Sequence, residues 1–331
     1  MRADRAPRSI LVINVSRIGD TLLVTPALRA LARAWPQARI TVLGHPSRVE
    51  ILEQLPFVAD TGAVTKQRAL FLGWLRARRW DLALVYGFDR ALIRFALRGA
   101  ARVVAFRQGD PYLERRLYRA VDPPAFQSLH SAEVPLLLTR AVGVADAGLR
   151  LAYRVTEAEA ASARATLPLG PKPLVGFQMV SFPTKGYRDW PLEHFSALGE
   201  RVLARWPSAQ LVLLGGARER SRIVEFARRF AQRATVFAGA LTLRQSAALM
   251  SQLDLYVGVD TGPTHIMGAL EPPMVALYHC YSPSRLLRPL ERERCYVVDH
   301  PRVAEGCPPE TSMAEIDVDT VWARVCEALA T

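Results

Sequence analysis

The chain has 331 residues, 50% hydrophobic, 8% aromatic and 22% charged, a length that at roughly 100–200 residues per domain predicts two domains with well-filled cores. Its 20 glycines and 23 prolines are ordinary proportions and exclude a collagen-like or disordered chain. The 43 basic and 31 acidic residues leave +12, of which residues 1–160 carry +10 (24 against 14) and residues 161–331 only +2 (19 against 17). A basic half implies an anionic partner: nucleic acid, a phosphorylated or acidic substrate, or a lipid surface. The plainer explanation is arginine-rich coding bias on a solvated face, since Lys66, Lys172 and Lys185 are the only lysines.

In the first half, continuous Val/Ile/Leu runs predict strands at Ile10–Val15, Ile40–Leu43, Leu82–Tyr86 and Arg102–Phe106. Strands covered on both faces read this way, without alternation. Helices are expected near 20–35, 47–55, 65–79, 89–98 and 128–142. A turn-rich Gly143–Gly148 and the proline-laden Leu167–Pro173 mark a boundary, because proline cannot continue a helix. The expected domains are 1–165 and 172–331. In the second half, strands are expected at Leu174–Met179, Gln210–Leu214, Thr235–Ala238, Leu255–Val259 and Met274–Tyr278, with helices near 192–205, 217–232 and 242–252. Val318, Val321, Val325 and Leu329 form a helical stripe at the C-terminus. The fold class is therefore α/β, with two Rossmann-like domains of parallel sheet joined by right-handed crossovers and a cleft between them.

No run approaches the roughly 18–20 apolar residues that cross a bilayer, and the N-terminus lacks a signal peptide's apolar stretch. A cytoplasmic protein is expected. Its cysteines, Cys280, Cys295, Cys307 and Cys326, form no C-x-x-C pair and are expected to be reduced thiols. His279 and His300 lie near them without a zinc-like spacing, so no metal site is expected.

Ligands of open α/β sheets sit where strand ends feed helix N-termini, and four such junctions carry polar residues. At Ser16-Arg17-Ile18-Gly19-Asp20, Asp20 reads either as a structural helix cap or as a rigidly held general base. The glycine spacing is not G-x-G-x-x-G, which argues against a nicotinamide cofactor. At Asp260-Thr261-Gly262-Pro263-Thr264-His265, backbone N–H groups of a helix start offer an anion site, with hydroxyls and an imidazole as further donors. A single Asp-Thr-Gly in an α/β chain excludes an aspartic protease, which needs two. At Thr184-Lys185-Gly-Tyr-Arg188, two cations precede a helix expected to begin at Pro191; a bound diphosphate would neutralise them, whereas two solvated side chains are the bland reading. Glu219, after the Gly215-Gly216 turn, reads as a ribose acceptor or a helix cap.

Together these residues resemble glycosyltransferase family 9, the ADP-heptose:lipopolysaccharide heptosyltransferases. The matching pieces are Ile10–Asp20, Thr25–Leu31, Thr184–Pro191, Leu213–Gly216 and Val257–Ala269, with echoes at Asp81–Val85 and His130. The resemblance implies a GT-B fold whose N-terminal domain takes the acceptor and whose C-terminal domain takes the nucleotide-sugar. It implies inverting, metal-independent transfer of heptose from ADP-heptose to the lipopolysaccharide inner core at the inner-membrane surface, with no cofactor. Asp20 would be the general base, with Ser16, Arg17 and Gly19 on the acceptor side. Thr184, Lys185, Arg188, Glu219, Leu241, Asp260, Thr261, Gly262, Thr264 and His265 would hold the donor. The family's Lys-x-Trp-Pro is Arg188-Asp-Trp190-Pro191 here, with Lys185 three residues earlier, so either cation fits the diphosphate. Ile266-Met267-Gly268, Ser312-Met313 and the stretch from Tyr278 to Pro283 depart from the family pattern. Three alternatives stand beside this reading: a family member using another nucleotide-sugar or acceptor, an inactive paralogue docked on membranes, and a basic nucleic-acid-binding protein. The last lacks any recognisable binding motif.

Overall fold

The computed structural model describes residues 5–65, 67, 79–168, 170 and 172–330. The helix expected near 65–79, with Arg76 and Arg78, lies almost wholly outside the described residues. The chain forms two compact units, Met1–Arg154 and Val155–Thr331, and each is built on a parallel six-stranded sheet.

In the first unit the strands are β1 (Ser9–Asn14), β2 (Arg39–Gly44), β3 (Asp60–Ala63), β4 (Trp80–Val85), β5 (Ala100–Phe106) and β6 (Arg119–Val121). They lie side by side as β3-β2-β1-β4-β5-β6, in register as Ile10↔Ile40 and Ile10↔Leu82 at the centre. Alternate residues of β1 serve opposite cores. Ile10 and Val12 pack with Leu28, Leu31 and Leu136, whereas Leu11 and Ile13 pack with Ala83, Leu92 and Ile93. All four β1 side chains are fully buried, each contributing roughly 1.5–3 kcal/mol relative to exposure. That two-sided burial is why the run is continuously apolar.

The second unit repeats the plan with β7 (Leu174–Gln178), β8 (Gln210–Leu214), β9 (Ala234–Val236), β10 (Leu255–Val259), β11 (Met274–Tyr278) and β12 (Cys295–Asp299). Their order is β12-β11-β10-β7-β8-β9. One face buries Val175, Phe177, Trp190, Phe195 and Leu198 together with Val321 and Val325 of the C-terminal helix Val318–Ala330. The stripe seen in the sequence is thus the inner face of that helix.

Several boundaries differ from expectation, among them 47–55, which is only a 3-10 turn at Val49–Leu52, and 128–142, which is α-helical only over Leu136–Arg140. The stretch 20–35 is two helices, Ile18–Leu23 and Thr25–Ala34, meeting at Val24 with Pro26 in the first turn of the second; proline lacks the N–H that a continuous helix would use there. Pro191 is the N-cap of helix Leu192–Arg205 rather than its first residue, because its ψ of 138° is extended. Finally, the stretch just before residue 165, placed in the first domain with no helix expected, forms helix Glu157–Thr166 of the second compact unit. Its Glu159 carboxylate accepts from Arg244 Nε at 2.5 Å and Nη2 at 2.8 Å, which ties it to helix Leu243–Met250. The units therefore divide at residue 154, not at 165.

Candidate active site

Each sheet reverses its winding once. In the first unit the chain runs outward from β1 through β2 to β3, then crosses to β4 and runs the other way; in the second, β7 and β10 are the equivalent neighbours. Such switch points leave a crevice beyond the carboxyl ends of the two central strands. Asp20 follows β1, at the first switch point. Arg188 and Asp260 follow β7 and β10, at the second.

Asp20 is exposed and stands inside the first turn of helix Ile18–Leu23, whose N-cap is Arg17. The capping reading of Asp20 therefore fails. Its carboxylate accepts a 2.7 Å hydrogen bond from Ser16 Oγ, and its carbonyl accepts from the buried Asn14 side chain at 2.9 Å. The turn is held from both flanks, since Arg48 donates to the Ser16 carbonyl at 2.9 Å and Thr21 Oγ1 to that of Arg17 at 2.8 Å. Gly19 is buried, while Arg17 is exposed. The result is an ionisable oxygen pair on a rigid support, open to solvent.

In the second unit, Pro183–Arg188 winds into a 3-10 turn. The Asp189 carboxylate anchors it by accepting from Ser181 N–H at 2.7 Å, and burial pushes that carboxyl above its ordinary pKa. Ser181 Oγ donates to the Lys185 carbonyl at 2.7 Å. Trp190, fully buried, donates from Nε1 to the Ile316 carbonyl at 2.8 Å. From this turn Arg188 forms an ion pair with Asp260, a carboxylate only 1% exposed. His265 Nε2 lies 3.5 Å from the other Asp260 oxygen. Neither Asp260 oxygen accepts a well-directed hydrogen bond among the described residues, so two buried oxygens retain lone pairs beside the crevice.

Helix Gly262–Ala269 starts at an N-cap, Thr261, that supplies no side-chain cap, and its first turn holds no acidic residue. Its leading N–H groups are thus left for another acceptor. Thr264 is different: buried, it donates to the Val259 carbonyl at 2.5 Å and meets Tyr256 Oη at 2.8 Å and Thr261 Oγ1 at 3.2 Å. Its hydroxyl is consumed inside the protein, locking strand to helix. Thr184 is exposed on the turn, and Leu241 is half-buried just before the capping box of helix Leu243–Met250. Glu219 is the N-cap of helix Arg220–Ala227; a Cβ on Gly216 would come 2.6 Å from its Oε2, so the glycine is what lets the carboxylate fold back over the turn.

Sequence reasoning missed Tyr187. Its ring carries Lys185 Nζ at 5.5 Å and the Arg188 guanidinium at 5.4 Å, and its hydroxyl accepts from Arg188 Nε at 3.2 Å. His279 and Tyr281 meet the same ring edge-on at 5.1 and 6.0 Å. The expectation of four reduced thiols also needs correcting: Cys280, between those two residues, is joined to Cys307 as a disulfide, whereas Cys295 and Cys326 are free. The folded chain brings Cα atoms 27 positions apart to 5.5 Å, a proximity that linear spacing does not reveal.

The chain is 28% identical over 307 residues to lipopolysaccharide heptosyltransferase 2 of Salmonella typhimurium, covering 83% of each chain. The solved E. coli ADP-heptose lps heptosyltransferase II superposes with a TM-score of 0.81 at 24% identity, over 97% of this chain and 98% of that one. The E. coli heptosyltransferase WaaC solved with ADP gives 0.74 at 18%, over 97% and 99%. Both share the two-unit α/β fold, the GT-B build that the motifs implied. The model of glycosyltransferase family 9 (heptosyltransferase) matches residues 74–312, a span that includes the whole Lys185–His265 cluster, and the chain is accordingly a member of glycosyltransferase family 9.

Proposed function

We propose that the protein transfers a heptose from ADP-heptose to the inner core of lipopolysaccharide, by a single inverting displacement without a metal in the reaction. The observation that carries this reading is the cluster at the β7/β10 switch point, where Lys185, Arg188, Asp260 and an uncapped helix start converge. Its chemistry suits a sugar diphosphate. Breaking the sugar–phosphate bond leaves negative charge on the diphosphate, which a cation and preorganised N–H groups stabilise by roughly 3–4 kcal/mol per donor. Among the described residues Lys185 forms no ion pair, whereas Arg188 is committed to Asp260. Lys185 is therefore the residue that meets the diphosphate, and Arg188 braces the turn. Asp260, paired with Arg188 and 3.5 Å from His265 Nε2, completes the donor side. Thr184, Thr261, Gly262 and His265 line the same donor side, with Glu219 towards the ribose and Leu241 against the base.

In this reading Asp20 removes the proton from the acceptor hydroxyl as that oxygen attacks the anomeric carbon opposite the leaving diphosphate. Ser16 orients the carboxylate, and the Arg17–Gly19 turn borders the acceptor. The names of the relatives and the ADP of the solved neighbour support the donor and acceptor assignments. The acceptor is carried at the inner-membrane surface; among the described residues no helix is long and apolar enough to cross a membrane. A mass-spectrometric transfer assay with ADP-heptose and truncated lipopolysaccharide cores tests the whole proposal. Asp20→Ala should lower turnover by about 10²–10⁴-fold while ADP still raises the melting temperature. Wild-type turnover in that variant would remove Asp20 from the mechanism, and stabilisation by UDP or GDP rather than ADP would redirect the donor.

A further inference from the structure

We propose that in the reduced chain His279, Cys280 and Cys307 bind one borderline-soft divalent cation of the zinc class. Among the described residues these three form the one cluster of His, Cys, Asp and Glu ligands whose donor atoms all lie within 4.8 Å of one another. His279 and Cys280 follow β11, and Cys307 comes from the segment after β12.

The spacing suits a tetrahedral ion. Bonds of about 2.05 Å to nitrogen and about 2.3 Å to sulfur separate N from S by about 3.6 Å, and S from S by about 3.8 Å. His279 Nδ1 lies 4.0 Å from Cys280 Sγ and 3.8 Å from Cys307 Sγ. Only the two sulfurs must move apart, a change of side-chain rotamer at a Cα separation of 5.5 Å. The imidazole is already set. Its Nε2 faces the Thr311 carbonyl at 2.8 Å and must be the protonated nitrogen, which leaves Nδ1 unprotonated within 4.0 Å of both sulfurs. A carbonyl behind a ligating histidine is the usual outer support of a metal site. The Tyr281 N–H, now 3.0 Å from Nδ1, would yield that nitrogen's lone pair to the cation.

The chemistry balances with a dithiol reductant. The dithiol gives two electrons and two protons to the Cys280–Cys307 bond, opening it to two thiols, and itself closes to a disulfide. Cation binding then displaces one proton from each thiol. Two thiolates and one imidazole leave the fourth position to water. The ion would sit behind the His279 ring that supports Tyr187, bracing the Lys185–Arg188 turn without taking part in transfer.

Metal analysis of the full chain, purified in a dithiol buffer and equilibrated with zinc, tests this independently of any transfer assay. Wild type, Cys295→Ser and Cys326→Ser should each retain about one zinc per chain. The Cys280→Ser/Cys307→Ser double variant, His279→Gln and peroxide-oxidised wild type should retain less than about a tenth of that. Cobalt in place of zinc should give thiolate-to-metal absorption in reduced wild type, Cys295→Ser and Cys326→Ser, and in none of the other three samples. His279→Gln and the oxidised wild type leave at least one cysteine arrangement intact, so the comparison survives if the double variant fails to fold. The proposal is overturned if reduced wild type holds no more zinc than the oxidised protein, or if the disulfide survives the reductant and only two of the four cysteines titrate.

Discussion

Arg188 and Lys185 sit three positions apart on one turn, yet their surroundings give them different work. Arg188 is 18% exposed and faces a carboxylate that is 1% exposed. Removing one member of a buried pair leaves the other uncompensated, at about 3–5 kcal/mol. Arg188→Met should therefore lower the melting temperature sharply, and adding Asp260→Asn should recover much of the loss. Lys185→Met should leave the melting temperature nearly unchanged and weaken ADP binding by about 10–100-fold, the 1.5–3 kcal/mol of a charge-assisted hydrogen bond. Calorimetry on both variants separates these roles; a large stability loss in Lys185→Met with unchanged ADP affinity would reverse the assignment. The two cations were visible in the sequence as a pair of equals. What distinguished them was a strand end 72 residues away, a contact that no local pattern carries.

At the scale of elements, legibility followed burial. The central strands β1, β4, β7, β8, β10 and β11 are buried almost throughout, and each announced itself as an apolar run. The strands β3, β6 and β12 did not. Their residues are mostly half-buried, Asp60-Thr-Gly-Ala63 and Arg119-Ala-Val121 among them, because an edge strand has one neighbour and less of its surface to hide. Helix Glu157–Thr166 escaped notice for a related reason: only Ala160 and Ala163 of it are buried, too small a stripe to register. Its position depends on polar contacts instead. Thr156 and Glu159 form a reciprocal capping box, and hydrogen bonds from Arg244 hold the Glu159 carboxyl at about 2, below its ordinary 4.5. A carboxyl depressed on folding adds stability above its unfolded pKa and loses it as pH falls through the folded one. The contribution should thus be complete above about pH 4.5 and vanish towards about pH 2. Melting temperatures of wild type and Glu159→Gln should differ most near neutrality and converge across that window; a gap that persists at the acid end would refute the linkage.

Over the whole molecule, the structural boundary sharpens the charge asymmetry. Divided at residue 154, the first unit holds 24 basic against 12 acidic residues, the entire +12, and the second holds 19 of each. Several of the first unit's arginines are already paired, Arg39 with Asp60, Arg107 with Glu114 and Asp122, and Arg140 with Asp146. The excess rests on others, including the exposed Arg115 and Arg116. A phosphate-bearing acceptor drawn by exposed charge is screened by salt over a Debye length of about 10 Å at 0.1 M. Raising ionic strength should accordingly increase the acceptor KM more than the donor KM. Equal salt sensitivity for both substrates would detach the asymmetry from acceptor capture.

The bond from Trp190 to the Ile316 carbonyl spans 126 positions, and it imposes an order of events during synthesis. Once residue 154 has left the ribosome, every strand of the first sheet is available for pairing. The second unit has no such freedom. Its core includes Val321 and Val325, and the turn bearing Lys185 and Arg188 is pinned by a segment near the chain's end. The half that carries the charge can therefore mature while its companion is still being translated, and the turn bearing Lys185 and Arg188 is among the last features to settle. A premature stop that deletes the C-terminal helix would spare the first unit and unmake that turn, although every one of the turn's own residues had already been made.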